Sequence, residues 1–176
     1  MSGIVSRTSF LQNCLILLIP LTVARRLEIY DLYREFLYLT DEFNHLGEEK
    51  LIEIIEAQRD RCKSIREIID ESLFFITDSL NIDEKLIDKF LVPDNLELFN
   101  TLYGQLESLE EWSIINVKEV IDNIMHECEL DLPRFAKPTR IALTGSLSSP
   151  SIDLTIYLLG KESCLKRILS AKSLIT

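Results

Sequence analysis

The chain has 176 residues, 47% of them hydrophobic, with only five glycines and five prolines. That length supports one domain or two small ones with a real core, and the composition excludes general disorder and leaves few turn residues for an all-β fold. The formal net charge of −10 argues, taken alone, against nucleic-acid binding, because neutralising phosphates takes Lys and Arg.

The first feature in chain order is "CLILLIPLTVA", Cys14 to Ala24, an uncharged apolar run between Arg7 and Arg25-Arg26. It is shorter than the roughly 20 apolar residues that span a bilayer. It reads either as a signal-peptide core or as buried core. From Leu27 onward the apolar spacing is helical almost throughout. "LEIYDLYREFLYL" repeats apolar residues at three and four. "EEKLIEIIEAQRD" opens on acidic residues that suit a helix N-terminus and sets Leu51, Ile54 and Ile55 on one face. Ser64 is placed to cap "IREIIDESLFFI", with Glu67 completing a capping box. "NIDEKLIDKFLV" is a short helix that stops at Pro93. Asp94 is expected to cap "NLELFNTLYGQLESLEEW", whose core stripe is Leu96, Leu98, Phe99, Leu102, Leu106 and Leu109. Ser113 begins "IINVKEVIDNIMHECEL", and Pro133 lies just past its end. "KPTRIALTG" is predicted as a brief helix with Pro138 in its first turn and Gly145 as terminator. In "SSPSIDLTIYLLG", Ser149 is the expected N-cap, with Pro150 at the first helical position and Gly160 just past the end. "KESCLKRILSAKSLI" is the last helix. No stretch carries a hairpin signal or a repeat, so the predicted fold class is all-α.

No catalytic set assembles. The phosphate-loop, dinucleotide, nucleophile-elbow and zinc-ligand patterns are all missing. Cys14, Cys62, Cys128 and Cys164 are far apart and read as reduced thiols, and His45 and His126 sit in no ligand-spaced motif; no metal site is expected. What remains is binding. Residues 1–133 carry 12 Lys/Arg against 27 Asp/Glu, whereas residues 134–176 carry seven against two. An acidic body with a basic end can still offer anions a local surface. The loop Gly145 to Ser149 leads into a helix N-terminus, where free N–H groups favour an anion or a base edge, and Arg140 lies one short helix upstream. Arg59 and Arg61, followed by Lys63 and Arg66, form a second compact basic cluster. On these residues alone, helix capping and anion recognition both account for the pattern.

The same residues carry a resemblance. "RDRCKSIREI" with "ESLFFI" after it, then "LEEW", then "KPTRIALTGSLSSPSIDLTIYLLGKE" resemble, in order and separation, the C-terminal half of bacterial glutamyl-tRNA synthetases. The last motif is long and specific; the others support it. The similarity runs from about Glu28 to the C-terminus and is absent in residues 1–27. It implies a helical anticodon-binding cage of two small subdomains, here 28–133 and 134–176, behind an unmatched apolar segment 1–27. An arginine matching Arg61 reads the third anticodon base in that family, and positions matching Arg140, Ser149, Pro150 and Ile152 line the pocket for the other bases. Arg59, Lys63 and Arg66 are supporting basic residues. A guanidinium suits base reading because its fork bonds a base edge bidentately, and splayed bases are what proteins commonly read in RNA. Thr139 stands where the family usually has leucine, and Ser151 where a small residue is frequent.

The ATP-binding motifs of the family's catalytic domain do not occur in these 176 residues. The resemblance therefore implies a partner, glutamate tRNA, but no catalytic residue and no cofactor for this chain; ATP would belong to the catalytic domain. The expectation is a truncated or split synthetase in the cytoplasm, without a membrane, whose catalytic fragment is separately encoded. The alternative is a helical protein-interaction module or an inactive remnant.

Overall fold

A computed structural model describes residues 31–38, 43, 46–77 and 79–175. The apolar run 14–24 lies outside the described residues, as do His45 and Cys14. Residues 31–38 are helical. Seven further α-helices and one short one follow: α1 Glu48–Arg59, α2 Ile65–Ser72, α3 Glu84–Phe90, α4 Leu96–Ser108, α5 Ile114–Glu127, α6 Leu132–Thr144, α7 Ile152–Leu159 and α8 Lys161–Leu174, with 3-10 turns at Leu73–Phe75 and Pro93–Asn95. No strand occurs among the described residues, so the chain is all-α.

Several ends follow from local chemistry. Ser64 caps α2 by accepting from the Glu67 N–H at 3.2 Å, and the Glu67 carboxylate reaches back to the N–H of Lys63 at 2.7 Å. The box thus closes one residue earlier than expected. Ser113 caps α5 through the N–H of Asn116. Gly145 ends α6 in the left-handed region, φ 73°, which a residue without Cβ adopts without strain. Gly160, at φ 81°, ends α7 and begins α8.

Other expectations need correction. α5 stops at Glu127, and Pro133 belongs to the first turn of α6, which Asp131 caps by accepting from Arg134 N–H at 2.9 Å. The helix drawn from Lys137 therefore starts five residues earlier, and Pro138 lies inside it. Proline is tolerated at a helix start because its missing N–H would be unpaired there; two prolines share this helix, and only Pro133 has that reason. Beside Pro138, the buried Thr139 hydroxyl donates to Phe135 O at 2.7 Å and so satisfies its polar group locally. Asp94 does not cap α4. The 3-10 turn leads in, and Asn95 turns its side chain back to Phe90 O. Leu96 is exposed and Leu109 lies past the helix end, while Leu98, Phe99, Leu102 and Leu106 form the buried stripe. Each of those four contributes about 1.5–3 kcal/mol by leaving water.

The principal core draws on Ile54 of α1 and on α4 to α8, with Phe99, Leu102, Phe135, Ile141 and Ile156 fully enclosed. A second, smaller cluster joins Phe36, Phe43, Leu51, Ile55, Ile68 and Ile69. α1 packs on both α2 and α7. That packing carries the α1–α2 turn to the loop between α6 and α7.

Candidate functional site

The site is built from that turn and that loop. α1 runs out at Arg59, and the N–H groups of Arg61 and Cys62 both return to Gln58 O, at 2.9 and 3.1 Å. Gln58 is itself buried and donates from Nε2 to Glu71 O at 2.7 Å, pinning the turn to α2. Arg61 therefore leaves a fixed backbone and points outward. Its Nη2 donates to Ser148 Oγ at 2.8 Å, across 87 positions of sequence.

Arg140 sits in the C-terminal half of α6, one turn before its last residue, and reaches the same loop. Its Nε donates to Ser149 Oγ at 3.1 Å, and its Nη2 lies 3.4 Å from Pro150 O. Ser149 is buried and Thr155 Oγ1 lies 3.2 Å from its hydroxyl. The N-cap of α7 is Ser151, so Ser149 is two residues too early to cap it; the Ser149 hydroxyl holds Arg140 instead. The loop is internally tied as well: Ser146 N–H donates to Thr144 Oγ1 at 3.2 Å, and Ser148 N–H to Ser146 Oγ at 3.0 Å.

Two guanidiniums thus converge on neighbouring serines. Burial, and then the charge of Arg61, hold the Arg140 pKa below the ordinary arginine value. Among the described residues no carboxylate pairs with either arginine. Adjacent cations with most of their five donors each unspent among the described residues favour an electron-rich ligand between or beside them.

Beside Arg140 lies a notch of about 280 Å³. Leu132, Pro133, Ala136 and Ile152 give it an apolar lining, and Lys137, Arg140 and Asp153 line its polar parts. Leu132 is 55% exposed, an unusual place for leucine. Of the residues singled out in the sequence, Arg61, Arg140, Ser149 and Pro150 meet at the α6–α7 loop, and Ile152 lines the notch beside Arg140. The supporting basic residues are dispersed. Arg59 pairs with Asp60 at 3.2 Å and, with Lys63, borders a different hollow of about 520 Å³ that Asp31 and Glu35 also line. Arg66 is exposed on α2.

Residues 28–172 match the family described as anticodon binding domain. The chain belongs to that anticodon-binding family, in the form found in glutamate–tRNA ligases. It is 38% identical over 118 residues to the glutamate–tRNA ligase of Legionella pneumophila strain Corby, and 36% identical over 118 residues to glutamate–tRNA ligase 2 of Coxiella burnetii strain Dugway. Each match covers 67% of this chain and 25% of the relative, so the matched part spans a quarter of these curated relatives. The crystal structure of a glutamate tRNA ligase from Elizabethkingia meningosepticum superposes with a TM-score of 0.76 at 25% identity, covering 84% of this chain and 30% of that one.

Within this anticodon-binding domain the "LEEW" element has a mechanical task. Trp112 Nε1 donates to Tyr157 O at 3.0 Å, and Lys161 Nζ donates to Leu109 O at 2.7 Å, so the segment braces both ends of the α7–α8 junction. Ser148 was not singled out in the sequence. One hydroxyl among the serines at 146, 148, 149 and 151 has no distinguishing signal until Arg61 is known to lie opposite. Arg167 was missed as well: it is buried, and its guanidinium donates to the carbonyls of Leu143, Phe74 and Thr77. Among the described residues there is no cluster of three metal-ligating side chains, and no helix is long and apolar enough to cross a membrane.

Proposed function

We propose that this chain binds the anticodon loop of glutamate tRNA. The observation that carries the proposal is the convergence of Arg61 and Arg140, 79 positions apart in sequence, on one serine-rich loop beside an apolar notch, with no carboxylate among the described residues paired to either. Unpaired guanidiniums present bidentate donor edges to a base or a phosphate, and an apolar recess accepts the flat face of an unstacked base. In this reading Arg61 bonds the edge of the third anticodon base. Arg140, Ser149, Pro150 and Ile152 frame the recess for the other bases, with Ser149 and Pro150 acting through the position they give Arg140. Arg59, Lys63 and Arg66 add a basic approach for the backbone. The acidic part, 28–133, supplies the first wall of the cage and the basic part, 134–176, the second.

Glutamate activation and ATP binding belong, in the same proposal, to the catalytic part of a glutamate–tRNA ligase acting in the cytoplasm. The functional partners are then glutamate tRNA and the catalytic fragment.

Chemical footprinting of glutamate tRNA with the purified chain tests the assignment. Protection confined to the anticodon loop, lost as salt rises, is the expected result, since phosphate contacts release counterions. Protection elsewhere on the tRNA, or none at low salt, would refute it and favour a helical protein-interaction module or an inactive remnant.

A further inference from the structure

We propose that Ser148 is the positioning residue for Arg61, fixing which edge of the guanidinium faces the RNA; the proposal rests on Arg61 reading a base. Arg61 is exposed, and an exposed arginine ordinarily samples many rotamers. Here its Nη2 is held by Ser148 Oγ at 2.8 Å. That single bond spends one N–H and leaves the opposite edge with donors available, which is the arrangement a bidentate contact needs.

Ser148 can hold Arg61 because it is itself held. Its N–H donates to Ser146 Oγ, whose own N–H donates to Thr144 Oγ1. Thr144 Oγ1, on the last residue of α6, in turn donates to Arg140 O at 2.9 Å. Gly145, between these residues, packs against the 80–82 segment, so the loop is anchored at its root as well. A chain of hydroxyls thus runs from the helix that carries Arg140 to the side chain of Arg61. The two arginines are set relative to each other through that chain, although their charges repel. The consequence is one for discrimination rather than affinity. Without the Ser148 hydroxyl, Arg61 keeps its charge near the RNA but loses its fixed direction.

The test uses the full chain, glutamate tRNA, and the same tRNA with its third anticodon base replaced. The readout is the ratio of the two dissociation constants. Ser148→Ala is expected to lower that ratio about two- to tenfold, the range for one hydrogen bond of ordinary net strength, since the pair is exposed to water. Its affinity for the altered tRNA should stay at the wild-type value. Ser148→Thr, which keeps the hydroxyl, should restore the ratio. Adding Ser148→Ala to Arg61→Ala should change nothing further. Ser148 is exposed, and an unchanged melting temperature in both Ser148 variants checks that the fold is intact. If Ser148→Ala keeps the wild-type ratio while Arg61→Ala abolishes it, the positioning role is overturned and base reading by Arg61 stands. If the wild-type chain shows no discrimination, base reading itself is overturned, and the positioning role with it.

Discussion

Replacing Arg167 by Met tests how the two basic-end helices are held to the rest. The Arg167 side chain is 5% exposed and its guanidinium donates to three carbonyls: Leu143 O in the last turn of α6, and Phe74 O and Thr77 O at the 3-10 turn after α2. Leu143 O is an orphan acceptor, since the last carbonyls of a helix have no partner within it; Phe74 O and Thr77 O lie in and just after a short 3-10 turn. Met preserves most of the volume and removes every donor. Leu143 is fully buried, so its carbonyl is left without water at a cost of about 1–3 kcal/mol. Phe74 is half-buried and Thr77 exposed, so their carbonyls regain water in part and add about 0.5–1 kcal/mol each. The expected total is about 3 kcal/mol, a large share of the roughly 5–15 kcal/mol that stabilises a domain. In urea, with a slope of about 2 kcal/mol/M, the midpoint should fall by about 1.5 M at unchanged slope. Arg167→Lys should recover only part, because one ammonium nitrogen cannot span three carbonyls. A Met variant within about 0.5 kcal/mol of wild type would refute the reasoning, because a surface substitution does no more than that.

Three further outcomes follow from single features. Gly145→Ala should cost about 1–2 kcal/mol in thermal or urea unfolding, from the left-handed backbone at φ 73° and not from crowding, since the nearest atom to a new Cβ is 3.5 Å away. Trp112→Phe removes the bond to Tyr157 O and should lower stability by about 1 kcal/mol, with hydrogen exchange rising first in α7. Burial pushes the Cys164 thiol up to about 12, from 9.0 when free. The unfolded chain therefore sheds that proton first, and stability should fall as pH rises from 9 towards 12 and be insensitive to this group below 9. A Cys164→Ala chain should lack that slope.

The fold was largely legible because apolar spacing and caps agree: the stripe of α4, the Ser64 and Ser113 caps and the Gly145 and Gly160 ends all emerge from local residue chemistry. What was misplaced lies where local signals conflict. Pro133 and Pro138 both look like helix boundaries, yet α6 contains both, because packing of Phe135, Ile141 and Leu143 outweighs one missing N–H. Leu96 and Leu109 fit the α4 periodicity but fall at its ends, where Leu96 is exposed and Leu109 packs only partly buried against the core. In the site, Arg61 and Arg140 were visible as basic clusters. Their convergence was not, because it depends on α1 packing against α7. Ser149 looked like a helix cap; it is a serine before a proline, and only the position of Arg140 reveals its other use. Ser148 and Arg167 act across 87 positions and 24 or more, respectively, and no local pattern marks such pairs.

Base recognition by Arg61 is the central claim, and the direct measurement is the affinity of wild-type and Arg61→Ala chains for two glutamate tRNAs that differ only in the third anticodon base. A bidentate arginine–base contact is worth about 1–3 kcal/mol, so the wild-type chain should bind the unaltered tRNA about five- to 150-fold more tightly at one fixed salt concentration. Arg61→Ala should bind both equally and at the weaker value. Equal binding by the wild-type chain, or a preference that survives Arg61→Ala, would contradict it.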